Sequence, residues 1–442
     1  MLKRGLILMV LTAVTVGAIS GAGILHPSSD ERPSSLAALE RPGIGQAPST
    51  EAAIDFFADR VRKDPRDSVS LTLLGQLHAR RARETGDIAS YERAEFALSE
   101  ALELLPTYTP AAEALAEVYY AEHRFADALE LAGTVYRTSP GATQALATMG
   151  DASLALGRYR QASKAYRALA NAALTPPAMA RLAHVAWLHG DTERAIGLMD
   201  RAALGSIRSG QIGEPAAWYQ IRLGDLNFGI GRLETAYEHY EAALGLFEGY
   251  YLALAGMGRV RAAQRRPEEA IDLYERAVAI VPQPELVAAL GDLHALTGRP
   301  DLAEQQYATV EAIGALAASN RQVFNRQLAL FYADHDRHLE DALELAMTEI
   351  DVRKDVFGHD ALAWALFKNG RYRDAARAID AAMRLGTRDP ALLYHAGMIY
   401  GALGRTDRAM ELLEAALTLN PNFSPLQAAV ARSTLAELVA AA

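Results

Sequence analysis

Half of the 442 residues are apolar, cysteine is absent, and 54 acidic against 44 basic side chains leave a formal charge of −10. That length exceeds one ordinary hydrophobic core, and that apolar content excludes a disordered chain. The acidic balance excludes nucleic acid as a fitting partner, and the missing cysteine excludes disulfides, thiolate nucleophiles, thiolate metal sites and a lipidated cysteine.

The first predicted element is the uncharged apolar run from Gly5 to Leu25, behind Lys3 and Arg4. Residues 1–25 read as a signal peptide or an N-terminal membrane anchor, with the basic end in the cytoplasm and the rest of the chain outside it. The run is long enough to span a bilayer, while Ala18, Ser20 and Ala22 also frame a signal-peptidase cut. Gly17 and Gly21 have the spacing of a helix-dimerisation pair, and they are equally small residues near a cleavage site. Residues 26–50 are rich in proline, serine and glycine and read as a flexible linker. The alanine and arginine bias suggests a bacterial source, which makes the expected location the periplasm or the outer face of the inner membrane.

From residue 51 the chain repeats itself. A leucine or methionine precedes a small residue, and an alanine follows the small residue by twelve positions. Leu115, Ala116 and Ala128 show the pattern, as do Met149, Gly150 and Ala162, then Leu182, Ala183 and Ala195. It returns at Leu223, Gly224 and Ala236, at Met257, Gly258 and Ala270, and at Leu290, Gly291 and Ala303. Leu362, Ala363 and Ala375 follow, then Ala396, Gly397 and Ala409. Looser copies at Leu74, Gly75 and Ala94 and at Leu328, Ala329 and Ala342 bring the total to ten, mostly 33 or 34 residues apart.

Each copy predicts two amphipathic helices whose small residues let the backbones approach closely. Four positions beyond the alanine stands a larger side chain, such as Tyr166, Tyr240, Tyr274 or Tyr307, expected to fill the next layer. Gly157, Gly190, Gly231, Gly298, Gly370 and Gly404 fall between the helices, where a left-handed residue ends the first one. Pro106, Pro140, Pro282 and Pro421 close second helices. Three stretches break the period: "RRARETGDIASY", "GSIRSGQIGEP" and "IGALAASNRQ". They read as surface insertions, with bends or subdomain seams as the alternative.

This tandem pattern resembles the tetratricopeptide repeat family over residues 51–423, beginning with the half repeat "AAIDFFADRVRKDP". The resemblance implies an all-α, right-handed superhelical solenoid of helix-turn-helix repeats with a concave groove. Residues 424–442 read as a C-terminal capping helix, with Ser424 as its cap and Pro425 in its first turn.

A second helical stripe on the first helices corresponds to the groove of that family. It carries Glu113, Glu117 and Tyr120, then Gln144 and Asp151, then His184, Trp187, Trp218, Asp225 and Phe228. Arg259, Glu285 and Asp292 continue it, followed by Phe357, Asp360, Trp364, Phe367, Lys368, Tyr394 and Met398. All three tryptophans of the chain lie on it. They read either as anchors for a partner peptide or as packing between first helices. The interleaved acids suit a basic or amide-rich partner. The position after each small residue carries no asparagine, which excludes the chaperone-type carboxylate clamp of some family members.

Other signals are weaker. Asp334, His335, Asp336 and His338 are metal-ligand types, but "ADHDRH" falls at a turn where polar residues are expected. Arg158, Arg232, Arg299, Arg371 and Arg405 follow the turn glycines and offer either an anionic docking edge or local ion pairs. No phosphate loop, HExxH or GxSxG arrangement occurs. The sequence therefore points to a non-enzymatic protein-protein interaction scaffold without cofactor or metal, binding a partner peptide or helix in envelope assembly or complex organisation. A structural, membrane-associated homo-oligomer is the alternative, and a metal protein or enzyme built on "ADHDRH" is the third reading.

Overall fold

The structure, a computed structural model, describes residues 49–319 and 325–441. The apolar run, its glycine pair and nearly all of the linker lie outside the described residues. Among the described residues there are 22 α-helices and no strand. They fall into two compact bodies. The first runs to Ala178 and takes in Ile280–Gln283; the second holds Met179–Ala279 and the chain from Pro284 onward.

In the first body the half repeat is the helix Thr50–Lys63, capped by the Ser49 hydroxyl at the Ala52 N–H. Three helix pairs follow: Ser68–Thr85 with Ala89–Leu104, Thr109–Ala121 with Phe125–Thr138, and Thr143–Ala155 with Tyr159–Ala172. Helix Pro176–Leu188, where the division falls, pairs with Thr192–Arg208. The second body continues with Glu214–Gly229 and Leu233–Leu246, Tyr251–Ala263 and Pro267–Ile280, and Pro284–Leu296 and Pro300–Ser319. Asn325–Asp334 and Leu339–Val352, Val356–Lys368 and Tyr372–Met383, and Pro390–Ala402 and Thr406–Leu419 complete the pairs, and Gln427–Ala441 stands last. The chain is an all-α solenoid of helix pairs.

The expected small positions are the contact points. A Cβ at Gly150 would lie 2.2 Å from the Tyr166 ring, at Gly224 2.4 Å from Tyr240, and at Gly291 2.6 Å from Tyr307. Each tyrosine therefore lies on the small residue of its own repeat. The Tyr240 ring is also closed from the following repeat, where a Cβ at Gly256 would come within 2.5 Å, and the side chain is fully buried. Burying a ring of this size removes enough apolar surface to contribute about 2 kcal/mol.

Each tyrosine then needs a partner for its hydroxyl, since an unpaired buried polar group is costly. Asp151, Asp225 and Asp292 accept from Tyr166, Tyr240 and Tyr307 at 2.7, 2.8 and 2.9 Å. In each case the aspartate directly follows the glycine. The repeat thus encodes a glycine that admits the ring and an aspartate that holds its hydroxyl.

First helices end as expected. The six turn glycines have φ between 69° and 80°, and His123, Arg265 and Asp336 take the same left-handed region where glycine is missing. The next residue closes the turn by donating its N–H to the carbonyl five positions back, as Arg158 does to Ser153 and Arg405 to Tyr400. Several arginines at this turn position tie repeats together through their side chains. Arg124 reaches Glu95 at 2.8 Å, Arg232 pairs with Glu193 and Arg299 with Glu268. Arg337 clasps Glu304 at 2.8 and 2.9 Å. Arg371 pairs locally with Asp374. Of the expected arginines, ion pairing accounts for Arg232, Arg299 and Arg371, while the Arg405 guanidinium lies over the Tyr400 ring at 5.4 Å.

The period breaks are mostly helix. Ser68–Thr85 has 18 residues, Thr192–Arg208 has 17 and Pro300–Ser319 has 20, against 13 or 14 in most of the others. Part of each insertion extends these helices, and residues 209–213 form a short non-helical connection before Glu214–Gly229. At the C-terminus the Ser424 hydroxyl accepts from the Gln427 N–H, and the final helix buries only Ala428 and Ala431.

Candidate partner-binding cleft

The second body closes on itself. The Thr387 hydroxyl donates to the Leu188 carbonyl at 2.7 Å, and the Asn420 side-chain amide donates to the Phe228 carbonyl at 2.7 Å. Both bonds are buried and join segments 199 and 192 residues apart. Here two turn glycines carry a second burden. A Cβ at Gly190 would lie 2.6 Å from the Gly386 carbonyl oxygen, and one at Gly231 would lie 3.0 Å from that of Leu419. The turns of early repeats thus rest directly on the loops of late ones.

This closure determines where the predicted stripe goes in the second body. Trp187 stacks on Phe357 with ring centroids 5.5 Å apart and planes 15° apart, two stripe residues meeting across the interior. His184 lies against Trp187, and its enclosure lowers its pKa to about 4. Trp218 packs edge-on to Tyr219 in the same apolar cluster as Trp187. Trp364 is only 2 % exposed, stacked between Phe367 and His395, with its indole N–H donated to Asp334 at 2.8 Å. Phe228 and Tyr394 are buried as well. Burial takes Trp364 and Tyr394 out of the exposed surface, while Phe228 keeps only a small exposed face. Phe367 and Met398 are half-buried.

The acids of the stripe are likewise engaged. Glu113 accepts from the Ala145 N–H at 3.0 Å, and Glu117 accepts from the Gln144 amide. Tyr120 lies edge-on to Phe125. Asp292 holds Tyr307 and also His335 at 2.7 Å. Burial opposes the charged form of His335, yet Asp292 overrides it and its pKa is raised. Asp225 accepts from Tyr240 and pairs with Arg222 at 2.9 Å and Arg259 at 2.6 Å. The expected affinity for a basic partner therefore has less free negative charge behind it than the stripe's composition suggested.

"ADHDRH" disperses in the same way. Asp334 accepts from Trp364 and from Gln427, His335 turns to Asp292, and Asp336 pairs with Lys368. No group of three metal-ligating side chains converges among the described residues.

What remains open beside the closure is a cleft of about 310 Å³. Trp187, Phe228 and Phe423 give it apolar walls, and Arg222, Arg259, Arg388, Asp225 and Asp389 give it charge. Helices Glu214–Gly229 and Tyr251–Ala263 carry one side; the loop into Pro390–Ala402 carries the other. The stripe includes Trp187, Asp225, Phe228 and Arg259. Arg222 was missed because it lies off the stripe, although it is on the same helix as Asp225 and Phe228; Arg388, Asp389 and Phe423 were missed because they reach the cleft through the long-range closure. Asp389-Pro390 is legible as a helix start, since Asp389 accepts from the Ala391 and Leu392 N–H groups at 3.0 Å.

Comparison with known proteins agrees with the repeat architecture. Residues 119–183 and 230–293 match one tetratricopeptide repeat family model, and residues 361–422 match another. These three segments carry tetratricopeptide repeats. Among curated proteins, none matches the sequence. Solved structures similar to the chain include yeast Tom70, at 14 % identity and a TM-score of 0.32, covering 88 % of this chain and 92 % of that one. The human IFIT1 dimer, determined with PPP-AAAA, has 12 % identity and a TM-score of 0.45 over 84 % of this chain and 94 % of that one. A tetratricopeptide repeat protein from Parabacteroides merdae has 16 % identity and a TM-score of 0.34 over 59 % and 97 %. None of these similarities bears on what this chain binds.

Proposed function

We propose that the chain is a non-enzymatic scaffold that holds a segment of a partner protein, working outside the cytoplasm in envelope assembly or complex organisation. The observation that carries the binding reading is the tandem array of tetratricopeptide repeats, with a mixed aromatic and charged cleft left open beside the closure. Such clefts give a partner side chain an apolar wall and a fixed polar contact. The export reading is supported by Lys3 and Arg4 ahead of the apolar run, and it leaves both a cleaved and an anchored N-terminus open.

The test uses full-length chain as bait against membrane and periplasmic fractions, followed by direct binding of each purified candidate. A partner that binds in purified form at micromolar or better affinity supports the scaffold. A chain that binds none of its candidates directly but sediments as a homo-oligomer supports the structural alternative instead.

A further inference from the structure

We propose that the cleft takes an aspartate or glutamate side chain of a partner segment, its carboxylate on Arg388 and an adjacent apolar side chain against Trp187 and Phe423. This inference rests on the scaffold reading and specifies the chemistry of its partner.

The charge balance of the cleft carries the argument. Three guanidinium groups, those of Arg222, Arg259 and Arg388, face two carboxylates, those of Asp225 and Asp389. Both carboxylates are already committed. Asp225 takes Arg222, Arg259 and the Tyr240 hydroxyl. Burial opposes the charged guanidinium of Arg259, but Tyr240 and Asp225 more than offset this and raise its pKa. Asp389 spends one oxygen on two backbone N–H groups at the start of Pro390–Ala402. Burial raises its pKa, and the two backbone hydrogen bonds and His395 act against that rise.

Arg388 is left over. It makes no ion pair among the described residues, and the residue is exposed. Its stem is nonetheless placed: its Cγ would lie 3.4 Å from a Cβ at Gly190, beside the closed turn, and the residue lines the cleft. A guanidinium presented this way forms two parallel hydrogen bonds with a carboxylate. The aromatic walls supply apolar contact beside it. The volume of about 310 Å³ sits at the small end of binding pockets and suits one or two side chains.

The test titrates full-length protein with acetylated, amidated hexapeptides built on Glu-Phe and Asp-Leu. Gln-Phe, Lys-Phe and phosphoserine-Phe counterparts and inorganic phosphate run beside them. Binding is read by calorimetry and by tryptophan emission. The acidic peptides should bind about tenfold or more tightly than the Gln and Lys forms, with affinity falling as salt rises. Arg388→Glu should abolish that preference and favour Lys-Phe, while Arg388→Lys keeps part of it. Circular dichroism and melting temperature should be unchanged in both variants, since Arg388 is exposed.

Equal binding of Glu and Gln peptides, an unaltered preference in Arg388→Glu, or no binding by any peptide overturns the proposal. Tighter binding of phosphoserine or inorganic phosphate overturns it in favour of a phosphate site. Partner proteins whose direct binding survives Arg388→Glu would leave the scaffold standing while this assignment falls.

Discussion

Gly224 and Tyr240 show how single residues set the fold. The ring occupies the place a Cβ would take, so Gly224→Ala should destabilise the protein by about 1–3 kcal/mol. Gly197 is the control: it is exposed in the middle of Thr192–Arg208 with nothing within 4 Å of an added Cβ. Gly197→Ala should stabilise by about 0.5–1 kcal/mol, because alanine loses less backbone entropy in a helix. Urea unfolding of the two variants separates packing from propensity, and equal effects would remove the packing account. The small positions and the tyrosines were both legible in the sequence, but their pairing was not. A single helix shows which residues share a face without showing which side chain arrives from the neighbouring helix.

His395 carries a pH dependence. It is buried against Trp364, with Nδ1 2.9 Å from the Asp360 carboxylate. Burial opposes its charge, but Asp360 prevails, helped by Asp334 and Asp389, and the pKa is raised above 6.5. The folded protein therefore holds this proton more tightly than the unfolded chain. The stabilisation is fully present below about pH 6.5 and is lost as pH rises through the folded pKa. The stability difference between wild type and His395→Gln should shrink as pH rises from 5 to 9. A difference that is flat or grows over that range would refute the pairing.

At the scale of elements, periodicity predicted most helix pairs because glycine, alanine and proline have local conformational causes. At the period breaks inserted polar residues look like loop, whereas an extra helical turn also absorbs part of them at no cost in hydrogen bonds. The arginine ladder belongs to this scale too. Arg337 grips Glu304 and Glu311, yet Glu304 is 60 % exposed. Exposed pairs contribute little, so Arg337→Ala should cost no more than about 1 kcal/mol, with the loss shrinking in high salt. A larger, salt-independent loss in thermal unfolding would mean the ladder is packing and not charge.

At the scale of the second body, the closure is what the repeat pattern could not disclose. The repeat describes neighbours, and Leu188 and Thr387 are joined only after the small rotations between many neighbours have accumulated. That accumulation brings Trp187 of an early repeat onto Phe357 of a late one and leaves only part of the predicted stripe facing a cleft. Thr387→Val leaves the buried Leu188 carbonyl without its side-chain donor, whereas Asn420→Ala removes the long-range donor from a Phe228 carbonyl that keeps the Gly231 N–H. Thr387→Val should cost about 1–3 kcal/mol and Asn420→Ala about 0.5–1.5 kcal/mol, and both should raise amide exchange in the turns around Gly190 and Gly231.

The closure itself is tested most directly by exploiting a chain that contains no cysteine. Trp187→Cys and Phe357→Cys introduce the only two thiols, at positions whose rings now stack 5.5 Å apart. A short thiol-bridging reagent at submicromolar protein should link them within one chain, as read by peptide mass spectrometry and by unchanged monomer mass. Two thiols that react independently and never bridge within the chain would show that the second body is open and that the cleft beside its seam does not exist.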